Sequence, residues 1–240
     1  MKVIYKGLAC LAALVLLVGQ AEAAPQVAST LLESTDYEAF TVSSSDIGDT
    51  SNGATTVLTG GSPLGGNAHS AMIDGAIAGC CTVGNGLFPG VGQSLEILLD
   101  TSVNALGYDI SSLVNTTGWN GSSRSNHQYV VALRPVGGSY TDILNVEFPV
   151  EDTTGGNAHN STPPADGNPG VQLTINDDGS GLLGTGIDAI RYTFHNDNTG
   201  TSPESYQEFD VNGTPTPEPS AVMIALMGMV GLWGLVRRRR

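Results

Sequence analysis

The chain ends in a pattern that few folds can absorb. Thr216-Pro217-Glu218-Pro219-Ser220 leads into an unbroken apolar run from Ala221 to Val236, and the chain closes on Arg237, Arg238, Arg239 and Arg240. Two prolines in three residues stop any element running into them. With Ser220 and the apolar stem of Arg237, the run approaches the roughly 17 residues at which a helix begins to cross a bilayer. The pattern predicts a single transmembrane helix over 221–236, with 237–240 as a basic cluster left on the cytoplasmic side. Whatever precedes the prolines must then fold on the other side of the membrane.

The first residues agree with that address. Lys2 and Lys6 form a positive leader, Leu8–Val18 is apolar, and Ala21-Glu22-Ala23 is a small-residue cleavage site. Together they predict a helical signal peptide over 1–23, cut between Ala23 and Ala24 after export across the inner membrane. Cys10 has Gly7, not leucine, three residues before it, which argues against a lipoprotein.

Taken together, the Pro217-Glu218-Pro219 triplet, the apolar helix and the Arg237–Arg240 cluster resemble the PEP-CTERM sorting signal of Gram-negative bacteria. The resemblance covers only the tail. It implies a membrane-embedded exosortase that cuts near the triplet, so that the protein is anchored transiently and then passes to the cell surface or outside the cell. It also implies a setting of exopolysaccharide and biofilm matrix.

Charge narrows the partners. Between the two signals, 21 acids face only Arg124, Arg134 and Arg191, with no lysine, a net charge near −18. Phosphate recognition draws on clustered Lys and Arg, so nucleic acid and anionic lipid are excluded as partners on charge. Such acidity keeps a secreted protein soluble; its functional reading is weak calcium binding at the surface. No tightly held cofactor or metal site is expected.

Cys80 and Cys81 are the two cysteines outside the leader and are adjacent. They can close a vicinal disulfide, pair between molecules or remain thiols; Gly79, Gly84 and Gly86 around them suit a tight turn. A long-range disulfide framework is excluded.

About 190 residues suffice for one domain with a sizeable core. Short β-branched runs between Gly, Ser, Thr and Asn clusters predict an all-β sandwich over 24–213, followed by a linker over 214–220. Strands are expected at Glu38–Ser43, Ser94–Leu99, Leu106–Ile110, Gln128–Leu133, Ile143–Val150, Val171–Ile175, Ala189–Phe194 and Tyr206–Val211. Asn176-Asp177-Asp178-Gly179 reads as a hairpin turn, since its acids lack the EF-hand ligand spacing. Alternation along Tyr206–Val211 sets Tyr206, Glu208 and Asp210 against Gln207, Phe209 and Val211, a half-buried edge pattern.

Four segments carry a second resemblance. Leu106–Leu113, Gly118-Trp119 with Arg124 and Gln128–Val131, Gly186–Phe194, and Tyr206–Gly213 resemble, in order, motifs of galactose-binding-like (discoidin-type) jelly-roll domains. The resemblance implies a jelly-roll sandwich; residues 26–99 have no counterpart in it.

Binding in a sandwich is carried by loops at one end, and Asn115–His127 is the candidate. Trp119 offers a flat face to a sugar ring, while Asn120, Arg124 and His127 supply directional hydrogen bonds. The competing reading has Trp119 plugging the end of the sandwich and Arg124 paired with an acid such as Asp109. No nucleophile elbow, zinc-helix or phosphate-loop motif occurs, so a non-catalytic protein is expected. Its partners are then the processing enzyme and exopolysaccharide, or, if no sugar site exists, other matrix proteins held by structural or adhesive contacts.

Overall fold

The computed structural model describes residues 27–34, 37–60, 62–63, 69–77, 86–118, 127–148, 170–177, 181–195 and 204–218. The expected signal peptide with Ala23 and Ala24, Cys80 and Cys81, Trp119, Asn120, Arg124, Pro219, the helix expected over 221–236 and Arg237–Arg240 lie outside them. Among the described residues no helix is long and apolar enough to cross a membrane.

The fold is all-β. Its strands are β1 (Val27–Ser34), β2 (Thr55–Thr59), β3 (Ser62–Pro63), β4 (Leu87–Phe88), β5 (Ser94–Leu98), β6 (Tyr108–Gly118), β7 (His127–Pro135), β8 (Thr141–Phe148), β9 (Gly170–Asp177), β10 (Gly184–Phe194) and β11 (Tyr206–Pro215). Every pairing is antiparallel, and the strands fall into two blocks. One runs β2-β5-β10-β7-β8, the other β1-β9-β6-β11-β4-β3, and β10 touches β6 where they join.

The blocks face each other through side chains that alternate inward, as period-2 strands require. Leu95 and Ile97 of β5, Tyr129 and Val131 of β7, and Tyr192 and Phe194 of β10 are buried from one side. Leu113 of β6, Leu173 and Ile175 of β9, and Tyr206, Phe209 and Val211 of β11 are buried from the other. Rings meet across the interior, Tyr192 to Phe209 at 4.7 Å and Phe194 to Tyr206 at 5.0 Å between centroids. Each fully buried side chain of this size contributes about 1.5–3 kcal/mol, so the aromatic layer holds the two blocks together.

Seven of the expected strands are present, most of them longer than the sequence pattern predicted; three departures matter. Glu38–Ser43 is no strand: Tyr37–Ala39 forms a 3-10 turn and the chain continues irregularly, while β1 and β2 were not foreseen. Nor is Asn176–Gly179 a hairpin, because β9 pairs with β1 and β6 whereas β10 pairs with β5, β6 and β7. The chain crosses between blocks there, and Asp177 accepts the Gly181 amide at 2.6 Å. Finally β11 is no half-buried edge. It lies between β6 and β4, and every residue from Tyr206 to Val211 is buried. Its register against β6 shifts between Tyr206 and Glu208, a bulge at Gln207. The extra residue puts Tyr206 and Phe209 on the core face together and leaves Glu208 and Asp210 on the opposite face.

At one end of the sandwich the chain turns pack very closely. A Cβ on Gly107 would lie 2.7 Å from the Gly186 carbonyl carbon, and both glycines have positive φ, 77° and 63°. Gly107→Ala combines a left-handed conformation disfavoured by about 1–2 kcal/mol with a backbone collision. Its thermal midpoint is expected to fall by about 10 °C, at the 2–4 °C per kcal/mol typical of a domain this size. Differential scanning calorimetry checks this, and Gly92→Ala, which shares the left-handed φ at 76° but whose Cβ meets nothing within 4 Å, should cost only the conformational part, about 1–2 kcal/mol.

Candidate metal centre

Asp46, Glu208 and Asp210 are 1–2% exposed, and each places a carboxylate oxygen within 4.8 Å of the others. Two of them come from β11, where a two-residue spacing sends Glu208 and Asp210 to the same side. Asp46 arrives from the far end of the sequence through an isolated bridge to Asn212 and an Ile47 amide bond to the Val211 carbonyl at 2.8 Å. Gly48 fits the turn because any Cβ there would strike Val211 at 2.8 Å.

Backbone amides hold one oxygen of each acid. Asp46 Oδ1 accepts from Gly48 and Val211, both at 2.7 Å, Asp210 Oδ2 from Ser43 at 3.0 Å, and Glu208 Oε1 from Gly75 at 3.1 Å. The second oxygen of each, Asp46 Oδ2, Glu208 Oε2 and Asp210 Oδ1, is buried without a hydrogen-bond partner. Each of the three oriented carboxylates thus keeps one buried acceptor unused.

The electrostatics are unfavourable without a counter-charge. Burial pushes Glu208 up to about 9, with the Asp210 charge adding to it. Burial raises Asp210 to about 7 against the Ser43 amide, and Asp46 to about 6 against the Val211 and Gly48 amides. Asp74 is also shifted up by burial. No cation of the protein relieves them among the described residues. Arg134 pairs with Asp188 at 2.6 Å, and the Arg134 and Arg191 guanidiniums lie 5.3 and 4.1 Å from the Tyr140 ring centre, on the other block. The charge must be balanced by protons or by a bound ion. Oxygens sharing one Ca2+ at 2.3–2.6 Å lie at most about 5 Å apart, which the 4.8 Å cluster satisfies. An all-oxygen set without His or Cys suits Ca2+ or Mg2+ rather than a softer metal.

The sequence-predicted residues lie elsewhere. His127 does not close a solvated loop; it opens β7 and is fully buried, its Nε2 3.1 Å from Thr117 Oγ1 and 3.2 Å from the Val171 carbonyl, with Tyr129 and Tyr206 at its ring edges. Pro217 and Glu218 are exposed just past β11. Surface calcium binding was the expectation from net charge, whereas the best oxygen cluster is interior. Its visible signal was Glu208-Phe209-Asp210, two acids at strand spacing inside a segment otherwise fit for burial.

Fold and site define an all-β sandwich with a sealed carboxylate centre, whose last strand runs straight into the tail. Residues 215–240 match the PEP-CTERM protein-sorting motif, so the tail is a PEP-CTERM sorting signal. No curated protein matches the chain. Among solved structures, it is similar to a family 32 carbohydrate-binding module of C. perfringens NanJ in complex with galactose, at 16% identity and a TM-score of 0.43, covering 70% of this chain and 97% of that one. It is also similar to a CBM32 chain produced by Clostridium perfringens in complex with GlcNAc-α-1,4-galactose, at 12% identity and a TM-score of 0.41, covering 69% and 92%.

Proposed function

We propose that this chain is an exported, non-catalytic protein of the cell surface or extracellular matrix, anchored by its tail and then cut by an exosortase-type enzyme. The observation that carries this reading is the match of residues 215–240 to the sorting motif. Its jelly-roll sandwich folds around one Ca2+ held by Asp46, Glu208 and Asp210, and it engages a matrix polysaccharide through Trp119, Asn120 and Arg124. At 1–2% exposure these three carboxylates are closed to a substrate, so their proposed role is to hold the ion and not to catalyse. A purely adhesive protein without a sugar site is the second reading, and it gains from the burial of His127, which leaves three candidate residues instead of four.

Intact mass from membrane and medium fractions of the native host tests the sorting. A species from near Ala24 to near Pro217–Pro219 is expected; one retaining Arg240 makes the protein a simple tail-anchored one. Trp119→Ala tests the sugar site. Retention on matrix polysaccharide should fall at least tenfold with an unchanged thermal midpoint, and a lowered midpoint with unchanged retention points to the adhesive reading.

A further inference from the structure

The last strand is fastened to the sandwich right up to the sorting triplet. Thr214 and Pro215 still pair with Asp109 and Tyr108 of β6. Thr216 then donates its amide to the Gly107 carbonyl at 3.0 Å and its hydroxyl to Asp109 Oδ1 at 2.7 Å, while the Gly186 amide donates to Thr216 Oγ1 at 3.1 Å. Free chain begins only at Pro217. Four residues separate Thr216 from the apolar run, and fully extended they span about 14 Å, roughly half the width of a domain this size.

The surface at that exit is unlike the rest of the domain. It is built by residues 101–107, 135–139 and 184–187 around Thr216, none of them charged, and the charges it meets lie at its margin: Asp109 bonded to Thr216, Asp100 bonded to the Ser102 amide, and the Arg134–Asp188 pair. Val136 and Thr216 are both hydrogen-bonded to Gly186, and Leu106 precedes the Gly107 that receives the Thr216 amide. Val103, Leu106 and Val136 are exposed there, at 72%, 40% and 44%. Single exposed apolar residues are ordinary; three of them on the uncharged segments beside the exit of the tail are a surface with a direction.

We propose that, before the tail is cut, the sandwich stands on the bilayer on this end, with Leu106, Val136 and Val103 against the lipid. The proposal rests on the reading of 221–236 as an inserted helix. The short tether, not charge attraction, supplies the contact: with the linker limited to four residues, this end is held at the interface. Cleavage at the triplet releases the contact together with the tail.

The test uses the full chain in vesicles of zwitterionic phosphatidylcholine, with a photoreactive residue placed singly at Leu106, Val136 or Val91. Val91 is 70% exposed, and its neighbour Gly92 bonds to Phe194 at the opposite end. Flotation of the chain with the vesicles reports tail insertion; lipid adducts detected by mass report the contact. Adducts at positions 106 and 136 at least fivefold above position 91 are expected. Floating protein with adducts at 106 and 136 no higher than at 91 overturns the proposal alone. Protein that does not float overturns the inserted tail, and the proposal with it.

Discussion

In a chelating buffer the processed protein is expected to lose thermal stability continuously as the pH rises from 5 to 9, and millimolar Ca2+ is expected to restore it at pH 8 while adding little at pH 5. Asp46, Asp210 and Glu208 all titrate higher in the folded state than in an unfolded chain, where carboxylates lie near 4. Protonation therefore favours folding, in full below about pH 4. That contribution is lost as pH climbs through about 6 for Asp46, about 7 for Asp210 and about 9 for Glu208. A cation replaces the protons, so its effect appears where they have gone. At a thousandfold excess over its dissociation constant a ligand adds about 4 kcal/mol, here about 10 °C in the midpoint. Glu208→Gln carries the discriminating result: it keeps the shape of the protonated acid, so at pH 8 it should match or exceed wild type in chelator and show no calcium response. A wild-type midpoint that Ca2+ moves by less than about 1 °C at pH 8 removes the metal centre.

How much of this the sequence disclosed depends on whether the signal was local. β5, β7 and the β-branched half of β10 announce themselves because buried residues alternate within a few positions, as at Leu95, Ile97 and Leu99. β2 is missed since its Thr55–Thr59 faces are only half-buried or exposed, leaving no apolar alternation to read. The carboxylate centre is missed because Asp46 reaches Val211 across 165 residues, and no spacing rule spans that distance. The clasp at Thr216 is hidden too: Thr-Pro-Thr-Pro reads as linker by composition, yet Pro215 completes the β6 ladder on the strength of its partner, Tyr108. The sorting motif, by contrast, is legible, since its three parts are contiguous and the motif match covers the same residues, 215–240.

The Gln207 bulge was the least visible feature and makes the sharpest mechanical prediction. In a regular strand Tyr206 and Phe209 point to opposite faces, so only one of them belongs to the core. With the bulge both do. Tyr206 packs 5.0 Å from Phe194 and stacks at 5.3 Å on Phe209, which in turn meets Tyr192 at 4.7 Å. Tyr206→Ala and Phe209→Ala should then each cost about 3–5 kcal/mol, the range for deleting a buried ring. The Tyr206 hydroxyl also accepts the Gln128 amide at 3.2 Å, so Tyr206→Phe should cost only about 1 kcal/mol. Gln207, whose Nε2 bonds to the Gly118 carbonyl and Ser205 Oγ, both at 2.8 Å, should cost no more than about 2 kcal/mol on change to Ala, because no core contact goes with it. Urea midpoints measured in saturating Ca2+ keep the metal contribution fixed across the series. A large loss at Phe209 with a small one at Tyr206 means β11 is regular; two large losses fix the bulged register, while Glu208 and Asp210, two residues apart beyond the bulge, share their face in either case.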